Sequence, residues 1–128
     1  MSETKPLTPA EARRLWVEAL RSGEYKQTDG RLKVGDRFCV LGTACDLFAK
    51  HTGQGRWDGD QFYVPSEDYG YEGCVPSEVM NWLGLREDDG EMYDGHALDA
   101  LNDDGTTFLM LADLIESNPP GLFVEEPT

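Results

Sequence analysis

Three cysteines (Cys39, Cys45, Cys74) and two histidines (His51, His96) are the residues here best suited to chemistry. Cys39, Cys45, His51 and Cys74 offer the right atoms for a tetrahedral zinc site, but their spacing is wrong. Six helical residues turn through about 600°, so Cys39, Cys45 and His51 would face three different directions. The sequence has no C-x-x-C pair, and no metal or other cofactor is expected. Nucleophilic catalysis would require a thiol within reach of His51 or His96, in a setting that lowers its pKa. Cys39 has the best position, near a helix start, yet Phe38, Val40 and Leu41 around it predict burial. A cysteine among apolar residues ordinarily packs rather than reacts. An odd cysteine count without an export signal predicts free thiols.

The chain carries 25 Asp and Glu, so calcium is the next chemistry to weigh. An EF-hand loop needs oxygen ligands at its first, third, fifth and twelfth positions and glycine at the sixth. With Gly105 as that glycine, Ala100 and Leu111 fall at the first and twelfth positions; with Gly90, Leu85 and His96 do. Both alignments fail. Carboxylate pairs for glycoside hydrolysis carry no signal among so many acids. A glycine-rich phosphate cradle between strand and helix is missing as well.

The distribution of charge says more. Residues 1–54 hold nine Lys/Arg against seven acids, a balance of +2, and residues 55–128 hold two against eighteen, a balance of −16. Such a field repels nucleic acid and anionic membrane and attracts basic proteins. Its most distinctive stretch interleaves aromatic and acidic side chains: Trp57, Asp58, Asp60, Phe62, Tyr63, Glu67, Asp68, Tyr69, Tyr71 and Glu72. Tyrosine and tryptophan are favoured anchors at protein interfaces, and flanking acids steer a basic partner. These ten residues form the candidate protein-binding site, although rings covering one edge of a small core would read the same way. A separate cationic set, Arg13, Arg14, Arg31, Lys33 and Arg37, would form a pocket for an anionic small ligand if folding gathered it.

At 128 residues the chain is expected to form one domain, ordered from about residue 8 to 123, with the last four residues loose. Thr8-Pro9-Ala10-Glu11 combines a capping hydroxyl, an N1 proline and a reciprocal glutamate, and predicts a helix ending at Gly23. Ala12, Trp16, Ala19 and Leu20 form its inner stripe. Tyr25–Val34 reads as a hairpin turning at Asp29-Gly30. Asp36–Lys50 reads as the central buried helix, capped by Asp36 and apolar around most of its circumference. Gly42 within it costs up to about 1 kcal/mol relative to alanine, which predicts close approach of another element there. Gln61–Val64 suits a strand among long turns, and Pro76–Leu83 suits a short helix. Residues 97–101 fit a helical turn or a short strand equally. Thr106 or Thr107 caps a last helix with Phe108, Leu111, Ala112 and Ile115 inward, and Leu122-Phe123-Val124 is placed to lie on the core. The sum is a small α+β domain of about four helices, dominated by the central one, with one or two short antiparallel hairpins.

Four blocks stand in a recognisable order: Leu15-Trp16 with Ala19–Gly23 and Tyr25; Phe38-Cys39 with Leu41-Gly42 and Cys45-Asp46-Leu47; Val79 with Trp82–Leu85; and Leu101-Asn102-Asp103 with Gly105, Phe108, Ala112-Asp113 and Ile115-Glu116. In this spacing the chain resembles a family of small uncharacterised proteins of tailed bacteriophages and prophages, many from actinobacterial hosts. The family typically has two adjacent cysteines where this chain has Cys39-Val40. The resemblance implies an accessory protein in the cytoplasm of a host bacterium and transfers no catalytic residue.

Together these features point to a non-enzymatic, acidic protein-binding module acting on a basic host or phage protein, in host takeover or against a defence system. A small cytosolic enzyme with a Cys/His site and a binder of a small ligand such as a nucleotide signal are the alternatives. No apolar run is long enough to span a membrane, and neither membrane nor nucleic acid is an expected partner.

Overall fold

The computed structural model describes residues 7–124; the last four residues, expected to be loose, lie outside the described residues. Helix α1 (Pro9–Ser22) starts as its sequence requires. Thr8 Oγ1 accepts from Glu11 N at 3.2 Å while Thr8 N donates to Glu11 Oε1 at 2.9 Å, and Gly23 closes the helix in the left-handed region at φ 79°. Its buried stripe is Ala12, Trp16, Val17 and Leu20.

Helix α2 (Val40–Thr52) runs through the interior, with every residue from Val40 to Cys45 buried. Trp16 locks α1 onto it, its indole N–H lying 3.1 Å from Val40 O and 3.0 Å from Thr43 Oγ1. Gly42 explains itself. A Cβ there would sit 1.8 Å from the Leu32 carbonyl oxygen, so the expected close approach is real, and the approaching element is the buried loop at Leu32.

The segment before α2 departs from expectation. Strands β1 (Lys26–Gln27), β2 (Lys33–Val34) and β3 (Arg37–Phe38) form a sheet in the order β1-β3-β2, parallel between β1 and β3 and antiparallel between β2 and β3. The hairpin therefore turns at Gly35-Asp36, with Gly35 at φ 62°, instead of at Asp29-Gly30. Gly30 does take a positive φ, 79°, but its N–H is drawn to Asp103 Oδ1 at 2.8 Å, which turns the chain away from β1. Asp36 accordingly lies in the turn and does not cap the helix. Cys39 caps it, Sγ accepting from Gly42 N at 3.3 Å.

Strands β4 (Arg56–Asp58) and β5 (Gln61–Tyr63) form a second antiparallel hairpin, and Tyr71 bridges to Phe62 on its far edge. Helix α3 (Ser77–Leu83) buries Val79 and Leu83 and leans Trp82 edge-on against Phe48, ring centroids 5.7 Å apart. Residues 98–103 resolve as helix α4 (Leu98–Asp103). Helix α5 (Phe108–Glu116), capped by Thr107, buries Phe108, Leu111, Ala112 and Ile115 against α1. Leu122 and Phe123 lie on the core, while Val124 is exposed. The described residues thus form an α+β domain with five helices and two short antiparallel hairpins, β2–β3 and β4–β5, the first joined by the parallel β1.

A buried asparagine ties the sheet to the last two helices. Asn102 Oδ1 accepts from Gln27 Nε2 at 2.9 Å and Val40 N at 3.1 Å, and Nδ2 donates to Thr28 O at 2.7 Å. Gln27 continues the chain, donating to Thr106 O at 2.7 Å and accepting from Phe108 N at 3.2 Å. Satisfied polar networks of this kind fix geometry, because any partner withdrawn leaves buried groups unmet.

Candidate docking surface

The aromatic and acidic stretch is divided by strand alternation. Successive residues of β4 and β5 face opposite sides, so Trp57 and Phe62 turn inward together while Tyr63 turns out. Phe62 is fully buried. Trp57 packs on it at 4.9 Å and on Phe38 at 5.7 Å, and Phe38 meets Tyr25 at 5.2 Å, all edge-on. Asp46 of α2 anchors this ladder. Its carboxylate accepts from Trp57 Nε1 at 3.1 Å and Tyr25 Oη at 2.6 Å, and it pairs with Lys50 at 2.9 Å. Burial, reinforced by the bond to Asp46, pushes the Tyr25 phenol up to about 12. Gly55 makes room for the ladder, since a Cβ there would lie 2.2 Å from the Phe62 ring. Trp57 and Phe62 thus belong to the scaffold.

Two of the candidate acids are held by the first sheet. Asp60 Oδ1 accepts from Gly35 N at 3.1 Å, and Glu72 meets Arg31 at 3.7 Å. Lys33 reaches Gly59 O at 3.4 Å and lies 5.6 Å over the Trp57 ring. Asp58 is exposed.

The remaining candidates gather at one place. Tyr63, Glu67 and Asp68 line a cleft of about 480 Å³ with Gly53, Gln54, Gly55, Arg56, Val64 and Pro65. Arg56 lies 4.6 Å over the Tyr63 ring, a cation already seated on one aromatic face. Beside the cleft Tyr69 and Tyr71 lean together, ring centroids 5.3 Å apart and hydroxyls 3.3 Å apart. The Tyr71 hydroxyl donates to Glu67 at 3.5 Å, and hydrogen bonding to Glu67 and Tyr71 raises the Tyr69 pKa. Tyr69 remains 56% exposed, which for so large a ring is an available contact surface. Arg56, Gln54 and Pro65 are not among the ten candidate residues. The signal for Arg56 was its isolation, as one of two cations beyond residue 54.

The other candidate chemistries fare differently. Burial pushes the Cys39 thiol up to about 11 despite its place at a helix N-terminus, and Cys45 is raised well above its ordinary value for the same reason. Cys74 is pushed up to about 11 by burial with Asp88 beside it. All three are free, and none sits in the electropositive setting that makes a thiolate. Asp99, partly buried near Asp89 and Asp103, is also raised. Among the described residues no group of three His, Cys, Asp or Glu is arranged to hold a metal ion.

The five cations proposed for one pocket separate. Arg31 and Lys33 are engaged at the first sheet, and Arg37 lines a shallow hollow with Gln27, Thr28 and Asp29. Arg13 and Arg14 line a groove between α1 and α5. No helix among the described residues is long and apolar enough to cross a membrane.

Fold and surface define a small, helix-dominated α+β domain carrying a tyrosine-bearing acidic cleft. Residues 9–119 match the family model Domain of unknown function (DUF8296), and the chain belongs to that family. No curated protein and no solved structure matches it.

Proposed function

We propose that this protein is a non-enzymatic docking module whose acidic cleft receives a basic segment of a protein partner. The observation that supports it most is the sorting of the Trp57–Glu72 stretch. Its scaffold rings turn inward, while Tyr63, Tyr69, Tyr71, Glu67 and Asp68 stay together around an open cleft. An arginine or lysine entering there meets the Glu67 and Asp68 carboxylates and the exposed Tyr69 ring, with Arg56 already covering Tyr63. Carboxylates with an aromatic face give basic segments both speed and specificity of association. The Arg56–Tyr63 contact is an internal example of the same pairing. The raised thiol pKa values weigh against the Cys/His enzyme.

The biological setting rests on the resemblance of the four sequence blocks to bacteriophage proteins. In that setting the module acts in the host cytoplasm on a basic host or phage factor, for takeover or against a defence system. A photo-crosslinking residue at position 69, expressed in host cells, tests the reading. Capture of a protein with a basic surface, lost as salt is raised before irradiation, is the expected result. Capture indifferent to salt, or crosslinks confined to a control position on α3, would count against it.

A further inference from the structure

The groove between α1 and α5 lies apart from the docking cleft, and its chemistry is of the opposite kind. It encloses about 450 Å³, within the range of small-molecule sites. Val17, Ile115 and Phe123, all largely buried, form its apolar floor. Arg13, Arg14 and Arg21 line it from α1, with Glu18 and Glu116 the acids on its rim.

The three arginines are not equivalent. Arg21 forks onto Glu116, at 2.9 and 3.2 Å, and reaches Asp113 at 2.7 Å. It is committed to α5, where its single charge offsets one of the two carboxylates it binds. Arg13 is a fixed wall: Nε donates to Leu83 O at 2.7 Å, and the guanidinium lies 4.0 Å from the centroid of the Phe123 ring. Arg14 is exposed at the rim. Beyond about 8 Å salt screens the acids elsewhere, so the −14 of the whole chain does not decide what binds here.

We infer that the groove binds a small amphipathic monocarboxylate. The carboxylate is forked by Arg14 beside the Arg13 wall, and the apolar body lies along Val17, Ile115 and Phe123. An arginine fork matches carboxylate geometry in two parallel bonds. Glu18, one helical turn from Arg14, selects against a second negative charge, so phosphate dianions and nucleotide polyphosphates are disfavoured. This inference is independent of the docking cleft.

Methyl-detected NMR titration of the full chain tests it with three probes: octanoate, octanol and octyl phosphate. Octanoate should produce saturable shifts at Val17 and Ile115, with octanol and octyl phosphate each at least about fivefold weaker. Arg14→Gln should weaken octanoate by about five- to tenfold while leaving the melting temperature unchanged. Glu18→Gln should narrow the gap between octanoate and octyl phosphate. Equal shifts from octanol and octanoate would overturn the proposal, leaving an apolar hollow only. Non-saturating shifts, shifts mapping elsewhere, or an Arg14→Gln protein that binds as wild type would overturn it as well.

Discussion

Helices α1 and α2 are held together by buried area, whereas the stretch from Gln54 to Gly73 is held by a few discrete contacts. In the helix pair, Ala12, Trp16, Val17 and Leu20 press on a helix whose first six residues are all buried. In the later stretch, Asp46 grips Trp57, Phe62 fills the space over Gly55, and Tyr71 pairs its backbone with Phe62. The difference separates scaffold from surface. Where area does the holding, nearly every side chain matters to stability. Where single contacts do it, the residues between them, Asp68, Tyr69 and a Glu67 tied only to its neighbouring tyrosine hydroxyls, are open to other work.

The largest effect expected on this contrast is at Gly42. Alanine there forces its Cβ into the Leu32 carbonyl, a backbone atom that cannot step aside, and should cost about 3 kcal/mol or more. Denaturant unfolding measures it, and a near-neutral G42A would show that the Leu32 loop is not seated as described. Next comes Asp46→Ala, which leaves the Trp57 N–H and the Tyr25 hydroxyl without their acceptor in a largely buried place. About 2–4 kcal/mol is expected. Asp113→Ala, at an exposed ion pair with Arg21, should cost less than about 1 kcal/mol in the same assay.

Alkaline pH should act at the start of α2 and on the aromatic ladder. Cys39 at about 11 and Tyr25 at about 12 both lie above their unfolded values, so the native state holds these protons more tightly. Their contribution is whole below the unfolded pKa values and is lost as pH rises through the folded ones. Under reducing conditions the urea midpoint should fall steadily from about pH 8.5 upward, starting near the unfolded thiol pKa; a flat profile to pH 10.5 would contradict thiol burial. The smallest effect belongs to the cleft. The combined variant Glu67→Gln, Asp68→Asn and Tyr69→Ala should change stability by no more than about 0.5 kcal/mol, since these groups are at or near the surface. A larger loss would move them from docking surface to scaffold.

Parts of this partition were legible in the residues alone. Thr8-Pro9-Ala10-Glu11 carries its whole capping instruction locally, and the glycine inside α2 announced a neighbour without naming it. The first hairpin was not legible, because Asp29-Gly30 is the stronger local turn signal, while Gly35-Asp36 also suits a two-residue turn. What decides between them is distant: Asp103 takes the Gly30 N–H, and Leu32 docks its carbonyl under Gly42. The same non-local pairing made Arg37-Phe38 a strand and moved the helix cap from Asp36 to Cys39. In the candidate site, the period-2 rule separates Phe62 from Tyr63. Only the return of residues 65–68 toward Gly53–Arg56 creates the cleft and brings Arg56 into it.

The central claim is that carboxylates and tyrosines at this cleft, rather than the chain's charge at large, recognise a basic partner. Isothermal titration of the crosslinked partner, produced separately, against wild type and the triple cleft variant between 50 and 300 mM salt tests it most directly. The account predicts a wild-type Kd that weakens by about tenfold or more across that range, and a variant at least about tenfold weaker at the low end. A Kd that ignores salt, or a variant that binds like wild type, would contradict it.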